Sequence, residues 1–189
     1  MLEMPGQAAL SSFRLAKLAR SLQRADRRVE SVAARFAYFV STGSELSASD
    51  RERLDVLLLS GEQPAQLEQR SRILYVVPRP GTISPWSSKA TEIIKACGID
   101  AVDRVERGIC YGIRFTGDVD DADVHALEHL LFDRMTEAVF EDSGAVAALF
   151  EEREPTPVST IALLEHGRDA LVRANGELGL ALSAQEIDY

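Results

Sequence analysis

Pro78-Arg79-Pro80-Gly81-Thr82-Ile83-Ser84-Pro85-Trp86-Ser87-Ser88-Lys89 contains three of the chain's seven prolines and its only tryptophan. An apolar, β-branched run at 73–77 leads into it and reads as a strand. A run of helical spacing at 86–97 leads out of it and ends at Gly98. The prolines fix φ and Gly81 permits unusual backbone angles, so the stretch reads as a rigid turn between a strand and a helix. Ser84 before Pro85 has the form of a helix N-cap with proline at the first helical position, and Trp86 can pack behind it. The same residues offer a flat aromatic surface, several hydroxyls and the positive charges of Arg79 and Lys89, which suits a docking surface equally well.

Working outward, the order helix, strand, helix, strand occurs twice after a short opening segment. Residues 1–6 of that segment read as a short strand, and in the first pass Ser11 to Asp26 reads as a helix with Leu15, Leu18 and Leu22 on one face. Arg28 to Val40 alternates as a strand, and Ser47 caps a helix at 48–59. The strand at 73–77 closes that pass, and the second brings the helix at 86–97 and a long β-like run from Val102 to Phe115 with Gly108 and Gly112 as expected bulges. Asp118 to Asp123 then opens a helix expected to run to about Asp133. An offset of 75 residues sets Pro5-Gly6 on Pro80-Gly81, Leu18 on Ile93, Phe36 on Tyr111 and Tyr38 on Ile113. The expected fold class is α+β: two repeated α/β units with antiparallel sheets and helices on one face. A short strand at 136–141 and a helical piece at 144–150 follow. Pro155 and Pro157 mark the best boundary, giving domains 1–152 and 153–189. Beyond it, 161–182 reads as a helical run whose leucines want a partner, with another helix beginning at 187–189.

Composition sets limits. The net charge of −9 argues against a general nucleic-acid binder, whose affinity comes largely from a basic surface. The charge is uneven: residues 1–40 carry seven Lys/Arg against three Asp/Glu, and residues 41–189 carry 14 against 27. No apolar run reaches the roughly 20 residues that span a bilayer. Cys97 and Cys110, without an export signal, read as reduced core residues of a cytoplasmic protein.

Chemistry-bearing motifs are sparse. There is no phosphate loop, dinucleotide fingerprint or His-Glu-x-x-His. His125 and His129 stand one helical turn apart but have no third ligand nearby in sequence, so no metal site is assigned. Asp118, Asp120, Asp121 and Asp123 fit a helix N-terminus better than a calcium loop. Glu106 and Arg107, neighbours on a strand, face opposite sides. Either they belong to an ion pair with a helix residue, or they order the turn at 78–89. No residue is assigned a catalytic role.

The string Arg79-Pro80-Gly81-Thr82-Ile83-Ser84-Pro85-Trp86-Ser87-Ser88-Lys89-Ala90-Thr91 resembles the N-terminal domain of the large, single-chain phosphoribosylformylglycinamidine synthases. The resemblance continues through Val105-Glu106-Arg107-Gly108 with Tyr111, through Asp133-Arg134-Met135-Thr136-Glu137, and through Pro155-Thr156-Pro157-Val158. It ends in Leu178-Gly179-Leu180-Ala181-Leu182 and Glu186-Ile187-Asp188-Tyr189, and is weakest over 41–70. It implies a duplicated small-subunit-like fold followed by the start of a helical linker, the chain stopping before the synthetase domain. The complete enzyme would use ATP, magnesium and glutamine, with no cofactor held by this chain. The implied role is structural and coupling, with the synthetase and glutaminase domains as partners. The docking surface is expected at Arg79, Thr82, Ser84, Trp86, Ser87, Ser88 and Lys89, with Glu106 and Arg107; neither nucleic acid nor membrane is an expected partner. The competing reading is a small-molecule-sensing or scaffold module of paired α+β units, dimerising through the leucines after Ile161.

Overall fold

The computed structural model describes residues 1–59, 64–151, 158 and 160–189. The expected boundary at Pro155 and Pro157 lies outside the described residues. The chain divides into two compact units, Met1–Glu152 and Arg153–Tyr189.

In the first unit the elements follow the sequence reading closely: β1 (Leu2–Ala8), α1 (Ser12–Ala25), β2 (Val29–Thr42), α2 (Ala48–Leu59), β3 (Arg72–Pro78), α3 (Pro85–Ala96), β4 (Val102–Phe115), α4 (Asp121–Glu128) and β5 (Glu137–Phe140). A 3₁₀ segment, Ala145–Phe150, follows. The fold is α+β. The two repeats share one antiparallel sheet of order β1-β2-β4-β3-β5, so their junction is the β2–β4 ladder itself.

The repeat is real in geometry, but its offset is 73 and not 75. Ser12 and Pro85, Val29 and Val102, and Ala48 and Asp121 each open corresponding elements 73 residues apart, and the N-caps Ser11 and Ser84 correspond likewise. Strand side chains repeat every two residues, so a slip of two leaves every residue on its correct face and goes unseen in the pattern. Tyr38 therefore corresponds to Tyr111, not Ile113.

All four helices cover one face of the sheet. α1 and α4 meet Val32, Ala34, Leu74, Val76, Tyr111 and Ile113, while α2 and α3 meet Met4, Tyr38, Val40 and Val105. The other face, carrying Ala37, Phe39, Tyr75, Val77 and Cys110, is covered by Val146 and Leu149 of the 3₁₀ segment.

Three expectations change. Gly108 and Gly112 are not bulges: β4 runs in register with β2 past both, and the register shifts fall at Val29/Ser31 and Ser41/Thr42. A Cβ on Gly108 would stand 2.6 Å from Val77 Cγ1 and 2.7 Å from the Val76 carbonyl oxygen, so glycine there permits close approach. α4 ends at Glu128, not near Asp133. The Leu130 and Leu131 amides bond three residues back, to Leu127 and Glu128, tightening the chain into a turn that still seats Leu131 in the core. Finally, Cys97 is exposed while Cys110 is buried; Ile94 and Ile99 fill the core on either side of the helix end.

The second unit contains α5 (Leu163–Leu178) and α6 (Ala184–Asp188). The expected run to Leu182 is interrupted. Gly167 has φ 62° and ψ −158°, which breaks the helical path, and Gly179 ends the helix in the left-handed conformation. Asn175 holds the following turn by bonding both the N–H and the carbonyl of Leu182, and Ser183 caps α6 with Glu186 as the reciprocal partner. Among the described residues no helix is long and apolar enough to cross a membrane.

Candidate functional site

The turn at 79–89 departs from the sheet for a reason written in its prolines. The β3–β4 ladder ends at Val76/Ile109. Pro78 stands where Arg107 would be its next partner, and it has no N–H to give. Beyond that point β4 is met by α3 instead, the Val105 amide donating to the Thr91 hydroxyl at 3.1 Å. Arg79-Pro80-Gly81-Thr82 then forms a tight turn: the Thr82 amide donates to the Arg79 carbonyl at 3.2 Å, and Gly81 has φ +85°. Proline before a positive-φ glycine is the arrangement a type II turn requires. The Thr82 hydroxyl adds a second bond to the Arg79 carbonyl, 2.7 Å.

Ser84 is the N-cap of α3, accepting from the Ser87 amide at 3.0 Å. Its own hydroxyl donates to Glu106 Oε2 at 2.8 Å, and its amide donates to Glu106 Oε1 at 3.2 Å. Glu106 is 0% exposed, so these donors and its charge partner carry its whole solvation. That partner is Arg104, two residues away on the same strand face, at 3.1 Å. The Arg104 guanidinium also donates to the Leu149 carbonyl at 2.8 Å and the Thr82 carbonyl at 3.4 Å, and lies 5.0 Å from the centroid of Phe150. One cation thus ties the turn, β4 and the 3₁₀ segment together.

On the opposite face of β4, Arg107 lies between two rings, 4.6 Å from the centroid of Phe36 and 4.9 Å from that of Trp86. Trp86 stacks in turn on Tyr38 at 5.8 Å. Glu106 and Arg107 do face opposite sides, but among the described residues neither pairs with a helix carboxylate or amine. Glu106 orders the turn and Arg107 completes an aromatic stack.

The nine residues expected to dock therefore separate. Glu106 and Ser87 are fully buried, and the Ser87 hydroxyl has no hydrogen-bond partner among the described residues. Ser84, Trp86 and Arg107 are half-buried, and Trp86 turns inward rather than standing out as an anchor. Arg79, Thr82, Ser88 and Lys89 remain exposed. Two residues that sequence reasoning missed join them. Ile83 is 60% exposed and Met135 78%, and both line a groove of about 410 Å³ together with Arg79, Pro85 and Glu137. Met135 arrives there because Asp133 caps its turn, accepting from the Met135 amide at 2.8 Å, and because the Arg79 amide bonds the Thr136 carbonyl at 3.1 Å.

The corresponding place in the first repeat keeps the serine N-cap, Ser11, but not the clamp. Ser31, Ala33 and Ala34 stand where Arg104, Glu106 and Arg107 do, and Phe13, at Trp86's counterpart, is exposed. The clamp is specific to the second repeat. Elsewhere, burial holds the Cys110 thiol above its ordinary range, away from the thiolate a nucleophile needs, and pushes Tyr111 up to about 12. His129 turns its Nδ1 to the Ala126 carbonyl, so it does not converge with His125. The acidic run does cap α4, with Asp120 and Asp123 as reciprocal partners.

A family model described as formylglycinamide ribonucleotide amidotransferase N-terminal matches residues 35–150. The match includes the 79–89 turn, Arg104, Glu106, Arg107, Met135 and the 3₁₀ segment.

Proposed function

The chain belongs to the formylglycinamide ribonucleotide amidotransferase N-terminal family, and from that premise we propose that it is a non-catalytic structural and coupling domain of phosphoribosylformylglycinamidine synthase. The enzyme's reaction takes formylglycinamide ribonucleotide, glutamine and ATP to the amidine. The amide oxygen is phosphorylated by ATP, and ammonia released from glutamine displaces the phosphate. In this reading the ATP, magnesium and glutamine sites belong to other domains, and this domain docks on them so that glutamine hydrolysis serves the synthetase.

The observation that carries the reading is the contrast within the 79–89 region. Its interior is clamped by a fully buried carboxylate and a shared arginine, while its outer side presents Ile83 and Met135 beside Arg79 and Glu137. A rigid backbone holding exposed apolar groups with a charged, polar rim is the make-up of an interface.

The test uses the complete enzyme with Ile83→Glu and Met135→Glu. Both residues are exposed, so stability should change by no more than about 0.5 kcal/mol. Glutamine-driven turnover is expected to fall while ammonia-driven turnover holds. Unchanged glutamine-driven turnover in both variants would refute docking through this surface.

A further inference from the structure

We propose that His125, Glu128 and Glu141 form a site for a divalent first-row transition-metal ion, apart from the docking surface and held entirely within the first unit. The three side chains come from two elements. His125 and Glu128 are three residues apart on α4, which places them on one helical face, and Glu141 follows the end of β5. One ligand atom from each lies within 4.8 Å of the others. His125 Nδ1 is 2.7 Å from Glu128 Oε1 and 3.9 Å from Glu141 Oε1. Bonds of about 2.0–2.2 Å to zinc put tetrahedral ligands roughly 3.3–3.6 Å apart, so movements of about an ångström assemble the set. The side chains are partly exposed and free to make them.

The local charge suits a dication. Glu128, Glu141 and Asp121 surround His125, and Arg72 is the cation facing them; it pairs with Asp121 and stands 4.0 Å from Glu141. With His125 neutral this leaves two net negative charges. One imidazole and two carboxylates favour zinc, cobalt or manganese over calcium, which takes oxygen ligands alone. Three protein ligands leave a coordination position for water. Bound there, the ion ties the last turn of α4 to the end of β5 and closes the segment that carries Met135.

The test is calorimetric titration of zinc chloride into the full 189-residue chain, with Cys97→Ser throughout so that the exposed thiol does not compete. One equivalent is expected to bind. Affinity should drop at least about tenfold in His125→Ala and in Glu141→Gln, with His129→Ala unchanged. Cobalt should give a visible ligand-field band that His125→Ala removes. Absence of saturable zinc binding would overturn the proposal. So would a loss in His129→Ala equal to that in His125→Ala, since adventitious chelation by surface histidines behaves that way.

Discussion

Replacing Glu106 tests the clamp that gives the 79–89 turn its shape. The carboxylate is fully buried and accepts from the Ser84 amide, the Ser84 hydroxyl and Arg104. Glu106→Leu keeps most of the volume and removes all three acceptor contacts. Breaking a buried pair by removing one partner costs about 3–5 kcal/mol, because the remaining charge is left uncompensated. The lower part of that range applies here, since Arg104 keeps the Leu149 and Thr82 carbonyls and the Phe150 ring. For a domain of this size about 3 kcal/mol lowers the melting temperature by roughly 6–12 °C. Glu106→Gln keeps one oxygen to accept from the Ser84 amide and Arg104, but it loses the charge and puts an N–H donor where the other oxygen accepted from the Ser84 hydroxyl, so about 1–2 kcal/mol is expected. Arg104→Met combined with Glu106→Leu leaves no buried charge, so the double variant should be more stable than the sum of the two single losses implies. Urea unfolding followed by the fluorescence of Trp86, the sole tryptophan, reads the series. A Glu106→Leu variant within about 1 kcal/mol of the parent, or strict additivity in the cycle, would refute the clamp.

Other consequences can be checked in the same way. Gly108→Ala should cost about 1–3 kcal/mol by overpacking, because the new methyl meets both Val77 and the Val76 backbone; a neutral urea midpoint would contradict that. Arg107→Met keeps the stem but loses the planar cation between Phe36 and Trp86, for an expected cost of about 1 kcal/mol and a changed Trp86 emission. Arg28 bonds both Asp26 and Asp123 and holds their carboxyls below the ordinary value of 3.8. Depressed folded values mean that their contribution is complete above the unfolded value and is lost as the pH falls through the folded ones. Arg28→Gln should therefore flatten the acid limb of stability below pH 3.8, measured by urea midpoints over roughly pH 5 to 2. Parallel acid limbs in parent and variant would exclude the linkage.

Much of this fold is legible in the sequence because periodicity reports which face a residue occupies. β4 spans Val102–Phe115 as alternation predicts, and the turn at 79–82 follows from proline and glycine chemistry alone. What stays hidden depends on register or on distant partners. A two-residue error in the repeat offset is invisible to a period of two. α4 ends early although Val124, Leu127 and Leu131 keep helical spacing, since a 3₁₀-type turn seats Leu131 in the core as well. Arg104 stands in the sequence as one more strand arginine. Its role appears only when Leu149 and Phe150, 45 and 46 positions later, fold over the second face. Trp86 looks like an anchor because of its composition and neighbours, yet the stack with Tyr38 and Arg107 turns it inward. Ile83 and Met135, the apolar pair left outside, are separated by 52 positions, and only the pairing of β5 with β3 brings them to one groove.

The most direct test of the coupling role is reconstitution. The chain is mixed with the synthetase and glutaminase portions produced separately, and amidation driven by glutamine is compared with amidation driven by free ammonia. A coupling domain restores the glutamine-driven reaction and leaves the ammonia-driven one as it was. Equal restoration of both, or no binding at all, would contradict it.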